Sequence, residues 1–155
     1  MCWTEITDDI AIEELMRKFA GFHDSCIVSV NYISGAYVDE SGAMGCGEKS
    51  EHTVSVIFHS QWAKPLELLF SGVRKCVITG FSEYYFCDIF GASIKFRTDL
   101  LGKVRDDRLI VWADYESFDP LLHREGYPLD NLHEVTYIIA EKLKYRFLGE
   151  GGGIV

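Results

Sequence analysis

Reactive motifs are what this sequence most plainly lacks. Cys2, Cys26, Cys46, Cys76 and Cys87 never fall as C-x-x-C, which leaves out a zinc knuckle and a thioredoxin-like dithiol. There is no G-x-S-x-G, hence no nucleophile elbow of the hydrolase kind. The stretch Gly42-Ala43-Met44-Gly45-Cys46-Gly47 has no Lys-Ser/Thr behind it, so it does not make a phosphate-binding loop. No run of about 18 apolar residues is present to cross a membrane as a helix. Met1-Cys2-Trp3-Thr4-Glu5 has neither a basic nor an apolar leader character, and we expect no secretory signal. Unpaired thiols in a reducing cytoplasm are the matching expectation. Cationic charge is also scarce. Fifteen Lys and Arg face 24 Asp and Glu, a net charge of −9. Such a field repels phosphate backbones and anionic lipid, which argues against nucleic acid and membrane as partners and favours a basic protein.

Aromatic residues are plentiful instead, with ten Phe, eight Tyr and three Trp in 155 residues. The length and the 48% hydrophobic content suit one globular domain, expected over 1–148, with a flexible Gly-rich tail over 149–155. Thr7 to Ala20 reads as a helix, with Ile12, Leu15, Met16 and Phe19 on one stripe and Gly21 beyond its end. From Ser25 the period becomes two. Cys26, Val28, Val30 and Tyr32 alternate with Ile27, Ser29 and Asn31, which predicts a strand with Cys26 towards the core. Further strands are predicted over His52–Ser60, Leu66–Ser71, Val73–Thr79, Tyr84–Ile89, Ala92–Thr98 and Leu109–Tyr115, the last buried on both faces. Asp39–Glu51 reads as a mobile loop. Val135–Phe147 fits strand or helix. The alignment of Val135, Tyr137, Ile139, Leu143, Tyr145 and Phe147 on one strand face favours strand. The expected fold is mainly β (α+β): an N-terminal helix, then an antiparallel sheet of about eight strands, sandwich-like or partly closed into a barrel.

Candidate chemistry is sparse. His23 beside Asp24 at the helix–strand junction suggests an imidazole oriented by a carboxylate. The plainer reading is a turn device, with Asp24 or Ser25 bonded to free backbone N–H groups. His59 and Trp62 belong to a polar-aromatic cluster at a strand end, and with His23 and Tyr85 they are candidates to line a pocket on a concave sheet face. Asp114, Glu116 and Asp119 form an acidic group after the buried strand. They suit paired-carboxylate chemistry, a docking patch for a basic partner, or plain solvated charge. His52 and His59 lie an odd number of residues apart on one strand, which sends them to opposite faces. His123 and His133 lack metal-ligand spacing. No cofactor and no metal are expected.

Phe22-His23-Asp24-Ser25, with an alternating strand behind it, resembles a group of small uncharacterised bacterial proteins. These carry an (F/W)-H-D-S junction between a helix and a run of strands, and some are similar to immunity proteins of polymorphic toxin systems. Leu68-Leu69-Phe70-Ser71-Gly72-Val73 and Ile138 to Phe147 are similar to the same group. The resemblance implies a mainly β fold and a binding role, and transfers no catalytic residue. The function expected is therefore non-enzymatic binding of another protein, an immunity-type inhibitor of a basic toxin being the concrete form. The alternatives are a small-molecule-binding domain or enzyme on the concave sheet face, and a homodimer paired through a strand edge.

Overall fold

The computed structural model describes residues 2–79, 87–102, 107–122 and 135–149. Over these residues the chain is mainly β, with one α-helix and an antiparallel sheet of seven strands that is not closed into a barrel. A short strand β1 (Thr4–Glu5) leads into helix α1 (Asp9–Lys18). Asp8 caps the helix by accepting from the Ala11 N–H at 2.8 Å, and Arg17 and Lys18 complete the last turn with the charge that suits the dipole. Ile12, Leu15 and Phe19 are buried along the predicted stripe.

The strands that follow are β2 (Ser25–Ile33), β3 (Ala36–Val38), β4 (Met44–Cys46), β5 (Thr53–Ser60) and β6 (Leu66–Val77). After them come β7 (Ser93–Arg97), β8 (Leu109–Ala113) and β9 (Tyr137–Phe147). The main sheet runs β2-β5-β6-β9-β8-β7, and β1 pairs with the far end of β9. β3 and β4 form a separate hairpin.

Burial divides the sheet into two faces. One packs Val54, Val56, Phe58, Leu66, Leu68, Phe70, Trp112 and Ile138 against α1 and the turn after it. The other is dry only near β8 and β9, where Leu109, Val111, Ala113, Tyr137 and Ile139 meet Phe118. β8 is consequently buried throughout, as its uninterrupted apolar run predicts.

The phase of the pattern differs from expectation in three strands. β2 carries a bulge between Ile27 and Ser29, so Ile27 and Val30 pack on the core. Cys26 lies opposite His59 and is half-buried, not turned into the core, because the bulge absorbs one residue and reverses the alternation. Residues 66–77 form one strand where Gly72 suggests two. Gly72 takes φ +63° and bends the strand without ending it. β9 is a strand, yet its six aligned positions do not share a face. Tyr137 and Ile139 belong to the second core, whereas Leu143 and Tyr145 belong to the first.

Residues 39–51 are more ordered than their glycines suggest, since they contain β4 and a 3-10 turn at Lys49–Glu51. The Asp39 carboxylate closes the hairpin loop by accepting from the Ser41 and Ala43 N–H groups and the Ser41 hydroxyl. Half of the strand expected at Tyr84–Ile89 falls outside the described residues, and Cys87 and Asp88 of the other half form no strand; His123, His133 and positions 150–155 of the tail also lie outside the described residues. Ile89 itself makes an isolated bridge to Ser25.

Candidate functional site at the junction and the hairpin

The junction between α1 and β2 is built from backbone that side chains normally avoid. Ala20, Gly21 and Phe22 are left-handed in succession, with φ +50°, +61° and +64°, and Asp24 follows at +55°. A left-handed residue other than glycine costs roughly 1–2 kcal/mol, so this path persists only because its surroundings over-determine it. Phe22 supplies part of that constraint. Its ring is fully buried and meets Phe19 at 4.9 Å, Phe58 at 5.2 Å and Trp112 at 5.8 Å between centroids, in edge-on geometry. Backbone bonds do the rest. Asp24 N–H donates to the Ile89 carbonyl, Gln61 N–H to the Asp24 carbonyl and Ala92 N–H to the Gly21 carbonyl. The buried Ser25 hydroxyl donates to the Phe22 carbonyl at 2.6 Å.

This frame presents Asp24 outward. One carboxylate oxygen, Oδ2, accepts from the Trp62 indole N–H at 2.8 Å and lies 3.0 Å from His23 Nδ1. The indole donor, with help from the imidazole beside it, holds the carboxyl below its ordinary pKa against a smaller opposing desolvation. Trp62 and Phe90 are each exposed by about two thirds, at 68% and 70%. Phe90 follows Ile89, whose backbone is bonded to Asp24 and Ser25.

His23, Asp24 and Trp62 are thus brought together, across 38 residues of sequence in the case of the Asp24–Trp62 bond. His59 is not joined to them by a hydrogen bond or ion pair. It faces away from the Val54-Val56-Phe58 core, opposite Cys26. Tyr85 lies outside the described residues. The three acidic residues are each held by different partners. Asp114 accepts from the Thr136 N–H, Asp119 from Arg97 and the Leu121 N–H, and the Glu116 carboxylate rests over the Gly91 backbone, where a Cβ would collide with it. β8 ends at Ala113, so Asp114 and Glu116 never share a strand face. Among the described residues no three His, Cys, Asp or Glu side chains gather closely enough to hold a metal ion.

A second surface escapes sequence reading. At the opposite end of β2, Tyr32 and Ile33 lead into the β3–β4 hairpin, where Tyr37, Val38 and Met44 are all exposed, Met44 at 89%. Exposed carboxylates surround them in the chain: Asp39, Glu40, Glu48 and Glu51. The signal was present as Tyr37-Val38 and Met44 among acidic residues. Gly42, Gly45 and Gly47 masked it by suggesting a formless loop.

No protein-family model matches the chain, and no curated protein or solved structure matches it either.

Proposed function

We propose that this protein is a non-enzymatic protein-binding domain whose partner is basic, in the manner of an immunity-type inhibitor. The observation that carries the reading is the exposed apolar pair on the hairpin. Val38 and Met44 lie directly opposite each other across β3 and β4 and share one solvent-exposed face, with Tyr37 exposed on the other and Asp39, Glu40, Glu48 and Glu51 close by in the chain, whose net charge is −9. Exposed apolar side chains among charged residues suit a protein interface. The carboxylates would accelerate encounter with a cationic surface, and the aromatic and Met side chains would supply burial once docked. The proposed setting is the cytoplasm, where the cysteines remain thiols. No described helix is long and apolar enough to cross a membrane.

The test is partner capture from the source cells, followed by binding kinetics with the purified partner. Val38→Ser and Met44→Asp should each weaken binding at least tenfold, and the association rate should fall as salt is raised. A partner indifferent to both substitutions and to salt would refute the docking surface.

A second reading, a small-molecule site or enzyme at the junction, is favoured by one feature: His23 is exposed, yet its Nδ1 is held by Asp24. It calls for a metabolite that raises the melting temperature with concentration in the native protein and not in His23→Ala.

A further inference from the structure

The main sheet has a gap. The edge of β9 turned away from β6 is paired with β8 from Tyr137 to Ala140 and with β1 at Lys144 and Tyr145. Between those stretches no strand of the described residues lies beside Glu141 and Lys142, and the Ile6 N–H donates to the Leu143 carbonyl at 2.9 Å. A cleft of about 280 Å³ opens there, reaching Ser71 of β6 and Phe96 of β7.

The charge of this cleft runs against that of the molecule. Arg108, Lys142 and Lys144 line it, against Glu5 and Glu141. Glu141 is already neutralised by Arg74, whose Nη2 lies 2.6 Å from its carboxylate. Arg108 is fixed in position: its guanidinium lies over the Phe96 ring at 3.8 Å from the centroid, and Nη2 donates to the Thr7 carbonyl at 2.7 Å. Stacking on an aromatic face holds the guanidinium plane while leaving its remaining donors for an acceptor. Neither Arg108 nor Lys142 pairs with a carboxylate among the described residues.

We propose that this cleft binds a small organic anion through its carboxylate, with Arg108 as the oriented fork and Lys142 as the second cation. Arginine forks match carboxylate oxygens in pairs. The volume falls just short of the usual range of ligand pockets, roughly 300–1,000 Å³, which limits the ligand to a small molecule. The nearby Glu5 and the −9 field of the chain disfavour a phosphate dianion and leave a monocarboxylate as the better fit. The site is separate from the hairpin and does not depend on the docking reading.

Titration of the full chain with pyruvate, benzoate and, as a control, inorganic phosphate tests this by amide chemical-shift mapping. Saturable shifts are expected at Ile6, Thr7, Ser71 and Leu143 with at least one carboxylate, and weaker ones with phosphate. Lys142→Gln, at an exposed position without an ion pair, should weaken the affinity at least threefold. Arg108→Lys should weaken it at least tenfold, because it keeps the charge and loses the fork. Absence of saturable shifts with either carboxylate, shifts unchanged in both variants, or phosphate binding as tightly as carboxylate would each overturn the assignment.

Discussion

Phe22 decides the junction, and the polar residues beside it depend on where it goes. Its ring enters the cluster of Phe19, Phe58 and Trp112, and that insertion holds the left-handed path on which His23 and Asp24 are displayed. Phe22→Ala is expected to cost about 3–5 kcal/mol in urea unfolding, the range for emptying a buried aromatic site. His23, with its side chain more than half exposed, should cost under about 0.5 kcal/mol when truncated to Ala. Trp62 has a more specific effect. Its indole N–H is the largest influence lowering the Asp24 pKa, so Trp62→Phe should return that carboxyl towards the ordinary aspartate value. Carboxyl-carbon NMR titration of the variant against the native chain reads this directly, and an unchanged midpoint would remove the indole bond from the account. The sequence announced His23 and Asp24 as neighbours, and it marked Trp62 as a candidate. It held no sign that the indole would reach Asp24, because that bond needs the β2–β5 pairing to bring Ser25 opposite Ser60.

Among the elements, β6 and β9 show how one glycine sets the phase of two strands. Leu68 and Phe70 face the first core, and beyond Gly72 so does Val73. In β9, Ala140 and Leu143 make the corresponding jump across Glu141 and Lys142. Gly72 takes a positive φ, and a Cβ on it would stand 2.8 Å from the Cβ of Glu141. Gly72→Ala therefore meets both backbone strain and a clash, and should destabilise by more than about 1 kcal/mol, read from the denaturant midpoint. A neutral result would mean that the phase change survives without the glycine. The two-strand division of 66–79 fails because pairing with β9 continues through Gly72, and the single face assigned to 135–147 fails because of this shared jump. Period-two counting assumes an unbroken ladder, and a glycine in the sequence does not say whether a strand ends there or only changes phase. Helix α1, by contrast, was legible to within two residues, because its stripe, its Asp8 cap and its terminal charges are all local.

For the whole molecule, acidity bears on stability as well as on the recognition proposed above. Asp24, Asp39, Asp99 and Asp119 all have carboxyl pKa values lowered by hydrogen bonds from indole, hydroxyl, guanidinium or backbone donors. A carboxyl whose folded pKa lies below its unfolded value adds stability above the unfolded value. That stability is lost as pH falls through the folded one. The melting temperature should accordingly hold across neutral pH and drop once pH passes below about 4, the ordinary aspartate value. The fall should be smaller in Asp24→Asn, measured by calorimetry from pH 7 to pH 2.5 relative to that variant's own neutral-pH value. An identical fall would show that Asp24 takes no part.

The sequence by itself determined the β-rich class, the amphipathic helix, the doubly buried β8 and the negative field, since each follows from local periodicity or from a sum over residues. Only the tertiary structure decided that Trp62 meets Asp24, that the hairpin leaves Tyr37 and Met44 in solvent, and that a gap beside β9 gathers cations. Those depend on strand order and bulges, which come from packing between residues far apart in the chain.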